Sequence, residues 1–233
     1  MTGYVGAMVA QEFLMHGGYR VRGTVRSKTN EAKIGPLKTG LGALFNLMEL
    51  VEADLLDEAS ISAACAGSTY VVHTASPFIF EGTEDEIVKP AVDGTNAVMK
   101  ACSEHGVKRV VVTSSGAAIF IVDAKDAPAE GSKWDESYWT DLEKEGGCNV
   151  YFKAKTLAEK AAWDYVEKQP EGEKFELVVI NPFFVQGPSM CAIDGTSEGW
   201  MTSWIDGSRK TITKTWTQIV DVRDVALAHL KAI

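Results

Sequence analysis

Long apolar runs are missing from this sequence. None approaches the roughly 20 consecutive residues that a membrane-spanning helix needs. The N-terminus has no basic stretch ahead of its apolar residues, as a secretory leader would. Positive charge is also in short supply. There are 23 Lys and Arg against 32 Asp and Glu, for a formal net charge of −9. That balance argues against a nucleic-acid binder, which needs a basic face to neutralise phosphates. Cysteine is scarce: Cys65, Cys102, Cys148 and Cys191 lie far apart, with no C-x-x-C pair. Free thiols in a reducing compartment are expected, with no metal site and no disulfide. No Asn-x-Ser/Thr sequon occurs, and there is no internal repeat, low-complexity tract or charge block. Together these absences set the expectation of a cytoplasmic protein with no membrane and no nucleic-acid partner.

What remains is ordinary for a globular enzyme, with 45% hydrophobic and 24% charged residues. The length of 233 residues allows one large domain, or one and a half. Apolar residues Val5, Val9 and Phe13 recur at helical spacing, and Gly17-Gly18 closes that run. "YRVRGTVR" (Tyr19 to Arg26) alternates as a strand does, and "NLMELVEADL" predicts another. "DEASISAACAG" predicts a short helix, and "STYVVHTAS" a strand buried on both faces. A helix is expected from Glu84 to His105, then the buried strand "VKRVVVTSS". Gly131 to Gly147 has little periodicity and is expected to be a loop. Tyr151 to Gln169 is Ala-rich and helical, and "FELVVINP" is a further strand. This alternation calls for a parallel sheet covered by helices. After Pro182 it stops, and "GPSMCAIDGTSEGWMTSWIDGSRKTITK" reads as a separate, substrate-side region.

Three groups of residues carry chemistry. Gly3 and Gly6 head the first helix, where backbone N–H groups can meet a pyrophosphate if no Cβ intervenes. Alone, two glycines near a helix start say little. About twenty residues on, a dinucleotide fold places an acid for a ribose 2′-hydroxyl or an arginine for a 2′-phosphate. Here Arg26 stands, followed by Ser27, Lys28 and Lys33, with no acid at the strand end. A guanidinium grips phosphate in bidentate fashion, which favours NADP over NAD, the other reading being a solvated basic loop. The third group is "YFKAK". Tyr151 and Lys155 stand at i and i+4 and share a helix face. The Lys155 ammonium is expected to lower the pKa of the Tyr151 phenol, which otherwise titrates near 10. Thr113-Ser114-Ser115 end a strand about 36 residues upstream and offer a hydroxyl to a substrate oxygen.

These features resemble the extended short-chain dehydrogenase/reductase superfamily. Within it they look most like the group of dihydroflavonol reductases, cinnamoyl-CoA reductases and microbial carbonyl reductases. The matching stretches are "TGYVG", "YRVRGTVRS", "ADLLD", "VVHTASP", "KPAVDGTNAVMKAC", "VKRVVVTSS", "YFKAKTLAEKAAW", "INPFFVQGP" and "VDVRDVALAH", in the family's order.

The resemblance implies an α/β fold, a Rossmann-type doubly wound parallel sheet, with NADP(H) as cofactor. It places Gly3 and Gly6 at the pyrophosphate and Arg26 and Lys33 at the 2′-phosphate. Asp54 and Leu55 flank the adenine, and Thr74, Ala75 and Ser76 line the nicotinamide ribose side. Ser115 polarises the carbonyl, with Ser114 as runner-up. Tyr151 delivers the proton, Lys155 tunes Tyr151 and bonds the ribose, and Pro182 and Val185 pack near the nicotinamide. His73 reads as a structural histidine, and Asp221 and Asp224 as turn or capping groups. The implied activity is hydride transfer from NADPH to an aldehyde or ketone. The alternatives are a non-catalytic NADP-binding protein (a sensor or scaffold) or an inactive fragment, and a dehydrogenase of hydroxysteroids or other secondary alcohols. The substrate is expected to be a small carbonyl compound, apolar or aromatic, with Trp200, Met201 and Trp204 either walling its pocket or lying in the core. The protein is expected as a monomer or homodimer.

Some positions depart from the family. Phe120 stands where the flavonoid reductases carry an asparagine, which argues against a dihydroflavonol substrate. Ala154 replaces a serine often found before the catalytic lysine. Gly116-Ala117 follow Ser115 where sugar-nucleotide dehydratases place an acidic pair, which argues for simple reduction. The family's first strand and first glycine are absent, and the chain stops inside a helix. Five buried apolar side chains of such a strand would contribute about 8–15 kcal/mol, comparable with a domain's net stability of about 5–15 kcal/mol. The expectation is a chain cut short at both ends relative to the family. Residues 1–181 would then form the NADP-binding domain without its first strand, and 182–233 part of the substrate-binding region.

Overall fold

A computed structural model describes residues 1–76, 82–121, 127–129, 132–144, 147–190, 196–211 and 218–233. Helices α1 to α7 span Tyr4–His16, Glu31–Leu41, Glu58–Cys65, Glu84–Glu104, Val150–Lys168, Thr196–Ile205 and Val222–Ala232. Strands β1 to β7 span Val21–Val25, Met48–Glu52, Tyr70–His73, Arg109–Thr113, Glu176–Ile180, Phe184–Gln186 and Ile219–Asp221. Every strand pairing among the described residues is parallel. Parallel neighbours need a crossover, and helices supply it, so the class is the α/β fold expected from the alternation.

The chain forms two compact units. The first joins Met1–Glu52 to Pro182–Ala232. It contains the pair β1–β2, in register from Val21 opposite Met48, and the pair β6–β7, with Phe184 opposite Ile219. Its apolar centre is Ala7, Leu14, Leu37 and Leu41, and α1 lies against α7. Gly17 closes α1 at φ 69°, a left-handed conformation that glycine adopts freely, and its N–H reaches the Phe13 carbonyl at 3.3 Å. The Met1 amine donates to the Thr24 carbonyl on β1 at 2.7 Å.

The second unit, Ala53–Asn181 with Ile233, holds the sheet β3–β4–β5 with α3, α4 and α5. Val110 of β4 sits between Val71 of β3 and Leu177 of β5. The core gathers Ile61, Val98, Met99, Cys102, Val110, Val112 and Phe175. Helix starts are written in the sequence. Asp57 accepts from the Ala59 and Ser60 N–H groups to open α3. Thr83 and Glu86 form a reciprocal capping box at α4. Asn149 accepts from the Phe152 N–H at 3.0 Å, which starts α5 at Val150 and puts Tyr151 in its first turn.

The structure departs from the sequence reading in four places. Helix α2 was not expected, because Gly35, Pro36 and Gly40 all discourage a helix interior. It forms because Ile34, Leu37 and Leu41 recur on one face and are buried. The strand expected over Asn46 to Leu55 is shorter, since Gly42–Leu47 coil into a 3₁₀ turn ahead of β2. Val71 and Val72 of β3 are only half-buried, not covered on both faces, because β3 pairs with β4 alone among the described residues. The strand–helix alternation also persists after Pro182, as β6, α6, β7 and α7. Its strands are three residues each, too short to give a periodic signal.

Candidate active site

The end of β4 and the first three turns of α5 build the site within the second unit. Ser115 follows β4 and opens a 3₁₀ turn, Gly116–Ala118, by accepting from the Ala117 N–H at 3.1 Å. Thr140, from the segment expected to be loop, is buried and holds that turn. Its hydroxyl donates to the Ala117 carbonyl at 2.7 Å, and its N–H donates to the Ala118 carbonyl at 2.7 Å. The Ser115 hydroxyl is thereby pinned at the mouth of β4. The neighbouring Ser114 hydroxyl is buried and has no hydrogen-bond partner among the described residues.

Tyr151, Lys155 and Glu159 stand at i, i+4 and i+8 on α5, and all three are buried. The Lys155 ammonium lies 5.9 Å from the centroid of the Tyr151 ring. Burial pushes the Tyr151 phenol above its ordinary range, and a hydrogen bond with Ser115 pulls it back part of the way. The sequence expectation of a phenol lowered by Lys155 is not met: desolvation acts on both groups, and the one opposing pull on Tyr151 comes from Ser115. Burial draws Lys155 itself down to about 8, with the Glu159 charge opposing the fall. Its Nζ has no hydrogen-bond acceptor among the described residues. His73 ends β3 and is drawn down to about 4, first by burial and then by the Lys155 charge. Burial thus holds it neutral at physiological pH.

Three residues that sequence reasoning passed over, Glu159, Asn181 and Trp163, complete the cluster. The Asn181 side-chain amide donates to Glu159 Oε2 at 2.7 Å and to the Ser115 carbonyl at 3.3 Å. The Trp163 indole N–H donates to Glu159 Oε1 at 3.4 Å. The signal for Glu159 was its spacing, one helical turn beyond Lys155 on the face already chosen. Asn181 had no signal, because its approach to α5 depends on how β5 meets the helix.

The cofactor positions fall in both units. In the first, Gly3 is the residue before α1, and a Cβ added there would meet no heavy atom within 4 Å. Gly6 is buried in the first turn of α1. Arg26 lies exposed just past β1, with no carboxylate partner among the described residues, and Lys33 lies exposed in the first turn of α2. Pro182 precedes β6, and Val185 is buried within it. In the second unit, Asp54 is half-buried and its carboxylate accepts from the Leu56 N–H at 3.0 Å. Leu55 packs over Gly94 of α4, and Thr74, Ala75 and Ser76 follow β3.

Other residues singled out from sequence have defined places. Asp221 accepts from the Arg223 N–H at 2.8 Å and pairs with its guanidinium, as a turn group does. Phe120 packs on Phe152 with ring centroids 5.6 Å apart. Trp200 meets Phe184 and Trp204 edge-on at 4.8 and 5.5 Å, and Arg209 sits 5.3 and 5.6 Å from the two indoles. They form an aromatic–cation cluster at the surface of the first unit, with Met201 exposed. Cys65 and Cys102 are free thiols in the core and Cys148 is free and half-buried, whereas Cys191 lies outside the described residues.

A glycine-headed helix, an arginine past the next strand and a Ser–Tyr–Lys cluster stand on a Rossmann-type α/β fold, the class to which an NADPH-bound reductase among its structural neighbours belongs. The model of the NAD dependent epimerase/dehydratase family matches residues 1–233, and the chain belongs to that family. It is 38% identical over 231 residues to cinnamoyl-CoA reductase 2 of Medicago truncatula, covering 98% of this chain and 65% of that protein. It is 35% identical over 244 residues to a (2S)-flavan-3-ol-forming anthocyanidin reductase of Vitis vinifera, covering 98% of this chain and 69% of that protein. Yeast methylglyoxal/isovaleraldehyde reductase Gre2, solved with NADPH, matches with a TM-score of 0.82 at 28% identity, over 100% of this chain and 72% of that one. The chain thus spans slightly under two thirds of the cinnamoyl-CoA reductase it matches. No helix among the described residues is long and apolar enough to cross a membrane.

Proposed function

We propose that this chain carries the cofactor-binding and proton-donating parts of an NADPH-dependent carbonyl reductase. Residues 1–181 would hold the cofactor, and 182–233 would contribute to the substrate side. The single observation behind this reading is the Ser115–Tyr151–Lys155 cluster, in which a half-buried hydroxyl bonds a buried phenol and a buried ammonium lies 5.9 Å from the phenol ring.

A nicotinamide dinucleotide suits the residues present. Gly3 leaves open space beside a helix N-terminus, where a side chain would obstruct a pyrophosphate. Arg26 is an uncommitted guanidinium at the position that distinguishes a 2′-phosphate. Lys155 is a buried ammonium, and a ribose diol would offer it acceptors. When bound, NADPH supplies the hydride that reduces the carbonyl carbon.

The chain's own residues handle the oxygen. Ser115 donates to the carbonyl oxygen and orients it. Tyr151, held protonated by burial, gives its proton to that oxygen as charge develops there. Lys155, still largely charged at pH 7, stabilises the phenolate left behind. Solvent restores the proton after the alcohol departs. The substrate is an aldehyde or ketone.

Tyr151→Phe tests this reading. It should bind NADPH as the parent does and lose turnover of aldehydes and ketones by at least about a hundredfold. Retained turnover removes Tyr151 from the mechanism. Tight NADPH binding by the parent with no turnover on any carbonyl would mark a cofactor-binding protein without chemistry.

A further inference from the structure

Lys155 is an ammonium buried beside a phenol, and burial alone works to strip its proton. The groups facing it come from three directions. His73, from β3, is neutral. Tyr151, one turn before it on α5, is held protonated. Glu159, one turn after it, is the carboxylate of the stripe. From α4, Glu84 is paired with Lys153 at 2.7 Å. Arg109 and Glu176 pair with each other at the start of β4 and β5, away from Ser115. Glu159 is itself held from two sides, by Asn181 at 2.7 Å and Trp163 at 3.4 Å. It lines a cleft of about 170 Å³ together with Glu136, Trp139, Trp163, Val179 and Asn181. Lys160 lies 5.1 Å from the Trp139 ring at that cleft.

A buried carboxylate held by two donors is oriented, and its charge acts through a low-dielectric interior. Asn181 links the same carboxylate to the Ser115 carbonyl, so one side chain ties the hydroxyl end of β4 to the charged stripe of α5. We propose that Glu159 is a positioning residue for proton transfer: clamped by Asn181 and Trp163, it keeps Lys155 charged and holds the Ser115 turn against α5. This rests on the reductase reading for its purpose, but the charge relationship exists without cofactor or substrate. The Glu159 charge opposes the desolvation that brings Lys155 to about 8, so removing it lets Lys155 lose its proton at lower pH.

The test is competitive acetylation of the cofactor-free protein across pH 5–11, reading Lys155 by mass spectrometry. Glu159→Gln removes the charge and keeps an acceptor for Asn181, at the cost of the longer bond from Trp163. It should lower the Lys155 midpoint by about one pH unit, which raises its labelling at pH 7 roughly fivefold. Glu159→Met removes the charge without a buried amide and carries the same expectation if the Gln variant does not fold. Glu159→Asp keeps the charge and should keep the parent midpoint. An unchanged midpoint in the Gln or Met variant overturns the proposal, as does a midpoint in the Asp variant as low as in the neutral ones. Turnover read on the same variants should show the pH limb of kcat moving with the labelling midpoint. Loss of turnover by Tyr151→Phe is read separately, so a failed reductase reading would leave the labelling result interpretable.

Discussion

Asn181 donates to the Glu159 carboxylate at 2.7 Å, and the same amide reaches the Ser115 carbonyl at 3.3 Å. One neutral side chain at the end of β5 thus serves a charged group on α5 and the backbone of Ser115. Asn181→Ala should cost about 1–3 kcal/mol, because it leaves a buried carboxylate short of a donor. Asn181→Asp should cost more, since two acids would then face each other. Urea unfolding checks the order, and equal losses would mean that the bond to Glu159 carries no weight.

His73 makes the fold sensitive to acid. In an unfolded chain its imidazole titrates near 6.5, and folding lowers it to about 4. As pH falls, the unfolded chain takes the proton first. Stability is therefore undiminished above about pH 6.5 and drains away between there and pH 4. The full loss is on the order of 3 kcal/mol. Replacing His73 with Gln should flatten that slope in denaturant midpoints measured from pH 4 to 7. A slope that persists would assign the acid sensitivity to other groups.

Arg26 carries the cofactor preference if its guanidinium meets a 2′-phosphate. Arg26→Ala should weaken NADPH by tenfold or more, roughly the contribution of one or two charge-assisted hydrogen bonds. NADH, which has no such phosphate, should be nearly unaffected. Equilibrium titration with both nucleotides decides it, and equal losses would remove Arg26 from the site.

Helix α2 offers a matched pair of glycines. At Gly40 a Cβ would come within 3.0 Å of the Met190 carbonyl carbon and closer still to its oxygen, and this is backbone that cannot swing aside. At Gly35 the nearest atom is Glu31 Oε2 at 3.9 Å. Gly40→Ala should therefore destabilise by about 1–3 kcal/mol, whereas Gly35→Ala should stabilise by about 0.5–1 kcal/mol. Thermal melts of the two single variants test the contrast, and similar shifts would mean that Met190 does not sit against α2.

Much of this was legible in the chain. Strong periodicity located α1, α4 and α5, and the side chains that start the last two, Thr83 and Asn149, stand in the sequence where those helices begin. Helix α2 was hidden because its glycines and proline carry the opposite local preference, and only the burial of Ile34, Leu37 and Leu41 overrides it. Ser115, Tyr151 and Lys155 could be chosen from spacing and family resemblance. Thr140 could not, because it lies in an aperiodic segment and acts through backbone bonds that form only once the chain has turned back on β4.

The sequence by itself determined the α/β class and the helix face on which Tyr151 and Lys155 stand, because these follow from periodicity, capping and spacing along one chain, and its motif stretches carried the resemblance to the family. Tertiary structure alone decided the electrostatics. The i, i+4 spacing suggested a phenol made more acidic by its neighbour, yet in the folded core desolvation raises Tyr151 and lowers Lys155 together. Spacing places two groups on one face, but how much each is exposed to water depends on everything packed around them. So does the encounter of Asn181 with Glu159, which lie 22 residues apart in the chain.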